Sequence, residues 1–243
     1  MKVIKLNATA STNSYLKEWA LKNATATEVA VWAKHQTAGR GQQGTSWDSS
    51  AGEGLACSVL KRFSDTDMAM LPKLQIGVAL AVKEALEAVG VKRLELKWPN
   101  DILSDAKKLG GILIENRWQA SRELTSIVGI GVNVNQNAFI NLPKATSMYL
   151  ESGRTYEIAE VFQAVSVSVM TILQTLEKRS FDELRKAYEA TLFRLGERGT
   201  FESPTGAVFQ GVILGISETG ALQVAKDTGA VETFQHKEIA LRY

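Results

Sequence analysis

Four stretches of the chain carry side chains beyond what a buried core requires. They are "STN" (Ser11–Asn13), "QTAGRGQQGTSW" (Gln36–Trp47), "KWPNDILSDAKKLGGILIE" (Lys97–Glu115) and "VGIGVNVN" (Val128–Asn135). Within the second, "GRGQQG" (Gly39–Gly44) satisfies G-x-G-x-x-G, the spacing with which a Rossmann turn holds a dinucleotide's pyrophosphate. That chemistry needs a strand before the glycines and a helix opening after them, so that free N–H groups and the helix dipole face the anion. The strand is there: Thr27–Gln36 alternates β-branched and aromatic residues. The helix is not, because Thr45–Leu60 is Ser- and Gly-rich and then turns apolar as a second strand. The spacing therefore describes a long polar loop between two strands, holding one Arg and one Trp. Loops of that kind are often functional.

Taken singly, the other stretches have ordinary structural readings. Ser-Thr-Asn can cap a helix, Pro-Asn-Asp can make a turn, and a lysine pair before an apolar strand can be a solvated end. Glycines 129 and 131 inside a strand mark close approach of a ligand or another backbone.

The elements that must position these residues follow from periodicity. A short strand and a helix fill the first 26 residues, with Ser11–Ser14 as cap candidates and Leu16, Trp19, Ala20 and Asn23 on one face. Ala69–Gly90 reads as a helix with Leu74, Val78, Ala81, Ala85 and Val89 in helical register, ended by Gly90. Arg93–Trp98 alternates as a strand that Pro99 stops. Strands follow around Ile102–Leu103 and over Lys108–Asn116, turning at "SDAK", and then over Glu123–Asn135. A helix from Glu157 to about Lys178 carries the stripe Ile158, Phe162, Val165, Val169, Ile172 and Leu176. A second helix runs from a Ser180 cap to about Leu192. From about Arg194 the chain becomes short strands with Gly- and Ser-containing turns, the pattern of a small all-β barrel. The expected division is residues 1–194 and 195–243.

Bulk composition excludes several classes. The 243 residues are 45% hydrophobic and 22% charged, as in ordinary globular proteins, and the net charge of +2 leaves no footprint for nucleic acid. One cysteine, Cys57, excludes an internal disulfide. No unbroken apolar run reaches the roughly 18 residues of a membrane span, and the N-terminus lacks an apolar signal core. The expectation is a cytoplasmic protein without a membrane partner.

In combination and in this order, "GRG…G..W", "KWPND" and "K.LGGIL.E" resemble the biotin protein ligase family over nearly the whole chain. The resemblance implies an α/β catalytic domain, a mixed sheet with flanking helices like that of class II aminoacyl-tRNA synthetases. It also implies a small C-terminal SH3-like barrel. The implied activity is biotin–[acetyl-CoA-carboxylase] ligase, in which biotin and ATP give biotinyl-5′-AMP and the biotin passes to a lysine of the biotin carboxyl carrier protein. ATP with Mg²⁺ is the co-substrate, and no permanently bound cofactor is expected. The family's bifunctional members begin with a DNA-binding winged helix. This chain begins almost at "STN", so a monofunctional form without DNA binding is expected. Strand-edge homodimers occur in the family. Gln42 and Gln43 stand where well-known members carry arginines, which lowers the charge of the loop.

The same resemblance assigns residues. Arg40, Lys108 and Asp101 form the catalytic set, with Asp101 as the Mg²⁺ ligand. Ser11, Thr12, Asn13, Gln36, Arg40, Gly41, Gln42, Lys108, Gly111 and Gly131 face biotin, the first four at its ureido ring. Trp47, Lys97, Asn100, Asp101, Asn133 and Arg242 face the nucleotide. Two anions must meet in the first step, so fixed cations and a metal are the physical requirement. The glycine loop then reads as a lid that closes over the adenylate and excludes water. Cys57 reads as an inert buried thiol, His35 as a strand-end residue and His236 as a surface residue. The nearest alternative activity is lipoate–protein ligase, and a non-enzymatic biotinyl-AMP sensor is a further one.

Overall fold

The computed structural model describes residues 1–47, 51–119 and 122–243; residues 48–50 of the glycine loop and the side chain of Gln43 lie outside the described set. The elements are β1 (Lys2–Thr9), α1 (Thr12–Lys22), β2 (Glu28–Gln36), β3 (Gly54–Phe63), α2 (Met70–Ala88), β4 (Leu94–Lys97), β5 (Asp101–Ser104), β6 (Lys107–Trp118) and β7 (Leu124–Asn133). Then come α3 (Met148–Ser152), α4 (Ile158–Thr175), α5 (Phe181–Glu189), β8 (Arg198–Glu202), β9 (Val208–Ile216), β10 (Leu222–Lys226), β11 (Val231–Phe234) and β12 (Ala240–Arg242). Periodicity locates β1–β7 and α1, α2, α4 and α5; β8–β12 are expected from sequence only as an undivided series of short strands, and α3 is too short to show a repeat.

Seven strands form one mixed sheet in the order β1-β2-β3-β7-β6-β5-β4. β1 and β2 run parallel, joined through α1, and every other neighbouring pair is antiparallel. The middle strands β3 and β7 are buried along most of their length because helices cover both faces. On one face Val128, Ile130, Val132, Leu55 and Val59 join α2 and α4 in the main core. On the other, Leu16 and Ala20 of α1 pack with Val29, Val31, Leu60 and Ile127. Burial on both sides explains why these strands read as apolar runs rather than alternations. α4 and the turn after it are long and apolar enough to cross a bilayer by composition. The buried face of that helix instead rests on α2, as in a core helix.

The last five strands form an antiparallel sheet in the order β11-β10-β9-β8-β12. It docks on the first sheet through apolar packing that runs without a break into Phe201, Ile213, Ile216 and Leu222. Polar ties at the junction include Trp98 Nε1 donating to the Gly220 carbonyl at 2.9 Å, the Ile216 N–H donating to Glu189 at 2.8 Å, and Lys144 Nζ donating to the Tyr243 backbone oxygen. α1 and α5 carry Ser11 and Ser180 at their cap positions, but neither hydroxyl makes a capping bond.

Candidate active site

A cleft of about 290 Å³ opens on the α1 face of the large sheet. Its floor is made by absence: Gly111 and Gly131 are cross-strand partners on β6 and β7, and two facing glycines leave a hollow where side chains would stand. Gly129, two residues along, admits a protein side chain. A Cβ there would lie 2.4 Å from Oδ1 of Asn13.

The wall nearest α1 is a closed hydrogen-bond network. Gln36 Oε1 accepts from the backbone N–H of Thr12 at 2.8 Å and from its hydroxyl at 3.2 Å, so β2 does the work of a helix cap. Ser58 donates to Asn13 Oδ1 at 2.6 Å. Asn13 Nδ2 donates to Glu115 at 2.8 Å and to the Leu113 carbonyl at 3.2 Å. Ser11, Thr12 and Asn13 are all buried, so their groups are fixed in direction rather than solvated.

The glycine loop folds as a small hairpin over the cleft. Gly41 N–H donates to Thr45 O at 2.7 Å and Trp47 N–H to Gly39 O at 2.9 Å, with a tight 3₁₀ turn, Gln42–Gly44, at the tip. Gly39 is required by that closeness, since a Cβ would sit 2.2 Å from the Trp47 carbonyl oxygen. No helix follows the glycines before β3 among the described residues, which removes the dinucleotide reading. The hairpin lays Trp47 against Gly131, where a Cβ would be 2.4 Å from the indole, and buries its Nε1 without a hydrogen-bond partner. It also brings Arg40 within 3.1 Å of Glu115, which binds Lys17 as well.

The opposite wall is charged. Asp101 lies 2.6 Å from Lys108 Nζ and 3.5 Å from Lys97 Nζ. The Lys97 ammonium is pushed below the ordinary lysine range, chiefly by burial and also by Lys108 and Lys144, with Asp101 opposing. Its Nζ sits 5.2 Å over the Tyr243 ring, and Lys144 Nζ sits 4.4 Å from the same ring. Asn100 is clipped to β6 by two bonds at 3.0 Å, one in each direction between it and Ile112.

The structure brings Ser11, Thr12, Asn13, Gln36, Arg40, Gly41, Gln42, Trp47, Lys97, Asn100, Asp101, Lys108, Gly111 and Gly131 to one cleft. Two expected residues do not line it. Asn133 is buried beside it, its amide donating to the Thr146 carbonyl at 2.9 Å. Arg242 is exposed and paired with Glu202 at 2.8 Å, because strand alternation on β12 points it away. His236, read from sequence as a surface residue, lines the cleft with Lys237 and meets Trp98 edge-on at 6.2 Å. Burial, with Lys237 next to it, holds its imidazole below the usual histidine range against the pull of Asp101. Ser58, Glu115, Lys144 and Tyr243 gained no role from sequence, since each matters only through a partner distant along the chain. Cys57 belongs to the buried core, and burial pushes its thiol up to about 12.

Comparison with known proteins agrees with this geometry. Residues 6–135 match the biotin/lipoate A/B protein ligase family. The bifunctional ligase/repressor BirA of Bacillus subtilis is 32% identical over 223 residues, 90% of this chain and 68% of that protein. The biotin–[acetyl-CoA-carboxylase] ligase of Mycobacterium tuberculosis is 30% identical, covering 88% of this chain and 79% of its own. Among solved structures, the biotin protein ligase of Aquifex aeolicus in complex with biotin and ATP superposes with a TM-score of 0.81. It is 30% identical and covers 99% of this chain and 98% of its own. The chain belongs to the biotin/lipoate A/B protein ligase family.

Proposed function

We propose that the protein activates biotin with ATP and transfers it to a lysine of a biotin carboxyl carrier protein. The observation that carries this reading is the pairing within one cleft of a fixed polar wall (Ser11, Thr12, Asn13, Gln36) with a cationic one (Lys97, Lys108). The relatives named as biotin ligases, and the Aquifex complex with both substrates, support the choice of ligands.

In the first step a biotin carboxylate oxygen attacks the α-phosphorus of ATP. The new O–P bond forms as the bond to the pyrophosphate oxygen breaks. Arg40 and Lys108 would hold the two anions together and stabilise the charge that accumulates between them. Asp101 is the one carboxylate among the described residues that line the cleft. It would hold Mg²⁺, and the bound ion would supply charge neutralisation at the phosphates. In the second step the carrier's lysine nitrogen attacks the acyl carbon. The C–N bond forms, AMP leaves, and the ammonium proton passes to solvent. Trp47 and its hairpin would shield the mixed anhydride from water meanwhile. Asn133, behind the cleft wall, would support the adenine end rather than touch it, and we assign no nucleotide contact to Arg242. A supply of ATP and the one free thiol fit a cytoplasmic setting.

The test is incubation with ATP, Mg²⁺, a carrier domain and either biotin or lipoate. Mass spectrometry should find the carrier lysine heavier by one biotinyl group. A lipoyl adduct would move the protein to the lipoate branch of the family, and no adduct with either acid would leave a sensor.

A further inference from the structure

The stretch that carries Lys108 and Gly111 ends on Glu115, and no step of the adenylation uses that carboxylate. Strand alternation puts Gly111, Leu113 and Glu115 on one face of β6, so Glu115 stands on the cleft side, just beyond the lining residues. Groups from separate segments converge on it. Its Oε2 accepts from Asn13 Nδ2 at 2.8 Å and from Arg40 Nη2 at 3.1 Å, while Oε1 pairs with Lys17. A single oxygen thus ties the polar wall to the glycine-loop hairpin. Asn13 is buried and is itself held by Ser58 and the Leu113 carbonyl, so that oxygen has a fixed address. The Arg40 side chain is the more solvated member, 43% exposed against 20% for Glu115. A carboxylate this near a site for two anions would repel them, a cost that calls for a return. Its return is direction: a guanidinium carries five N–H donors in one plane, so a bond to one of them aims the others.

We propose that Glu115 is a positioning residue for adenylation, pinning the Arg40 guanidinium to the Asn13 wall so that the closed hairpin presents its remaining N–H groups to the biotin carboxylate and the α-phosphate. Glu115 touches neither anion and acts through Arg40. The assignment rests on the adenylation reading and adds to it the residue that sets where the hairpin's cation stands. Misplacing a reacting group by about 1 Å can cost on the order of 100-fold in rate, so such a pin matters to the chemistry as well as to the fold.

Glu115→Gln removes the charge and keeps the shape. In biotin-dependent ATP–pyrophosphate exchange, kcat should fall about tenfold, the scale of one lost charge-assisted hydrogen bond, with smaller changes in KM for either substrate. A merely structural carboxylate predicts a loss that does not depend on Arg40. The cycle with Arg40→Ala separates the two, because in that background Glu115→Gln should cost less than about twofold. Lys17→Met removes the other cation and leaves Oε2 with both its partners, so kcat should stay within about twofold of wild type. Amide hydrogen–deuterium exchange over residues 39–47 needs no turnover. The Gly41 and Trp47 amides, bonded across the hairpin, should exchange faster in Glu115→Gln than in wild type or Lys17→Met. A wild type without biotin-dependent pyrophosphate exchange would sink the ligase reading, while the amide comparison would still decide whether Glu115 pins the hairpin. Equal hairpin protection in wild type and Glu115→Gln would overturn the inference, as would losses that multiply when Glu115→Gln and Arg40→Ala are combined.

Discussion

Lys108 on β6 stands 2.6 Å from the carboxylate of Asp101 on the neighbouring β5, on the same face as Gly111. Regular alternation forbids this, since residues three apart on a strand point to opposite faces. A bulge resolves it: the β5–β6 register slips between Ile102 and Leu103, leaving Leu109 as the extra residue. Leu109 turns into the core and Lys108 comes round to the cleft. The paired Asp101 holds the ammonium at the wall before any phosphate arrives.

Loss of either cation proposed to hold the two anions together should therefore disable the first step. Lys108→Ala and Arg40→Ala should each lower biotin-dependent ATP–pyrophosphate exchange by at least about 100-fold, on the order of 3 kcal/mol of lost transition-state stabilisation. Steady-state exchange assays on folded variants provide the check, and near-normal rates would remove both residues from that role.

Gly129→Ala tests the polar wall. The added methyl would stand 2.4 Å from Asn13 Oδ1 and so must displace the amide that Ser58 and Glu115 hold. We expect a stability loss of about 1–3 kcal/mol, typical of overpacking, with a rise in KM for biotin and little change in KM for ATP. Chemical denaturation and substrate titrations measure the two effects separately, and an unchanged KM for biotin would detach Asn13 from the biotin end.

Glu115 should give the fold an acid-sensitive clamp. Burial raises its pKa, but hydrogen bonds from Lys17 and Asn13 and the charges of Lys17 and Arg40 outweigh that and hold it below the ordinary glutamate range. A carboxyl whose pKa is lower folded than unfolded stabilises the fold above the unfolded value, about 4.3. It loses that contribution as pH falls through the depressed one. Wild-type unfolding free energy should therefore drop more steeply than that of Glu115→Gln on acidification through this window. Parallel urea-unfolding curves from pH 6 to 3 (about the range the ordinary glutamate value requires) would show that the clamp contributes nothing.

Cys57 should be silent. Its thiol is buried and raised to about 12, so almost none is thiolate at neutral pH. Thiol-specific reagents should leave the native protein unlabelled and label it at one site on denaturation. Ligase activity lost in step with native labelling would instead make Cys57 a participant.

The amino-acid sequence by itself determined most of the strands, the long helices and the segments that meet at the cleft, because periodicity and turn residues are local properties. It also grouped most of the residues that line the cleft, since Gln36–Trp47 and Lys97–Glu115 hold them close together along the chain. Tertiary structure decided the rest. The bulge that turns Lys108 inward is set by pairing with β5, and the fixing of Asn13 by Ser58 and Glu115 joins α1, β3 and β6. That His236 and Lys237 line the cleft while Arg242 does not follows from which way a turn and a strand face after the second sheet docks. Such choices depend on partners up to a hundred residues away or more, as Asn13 and Leu113 are, and no local pattern encodes them.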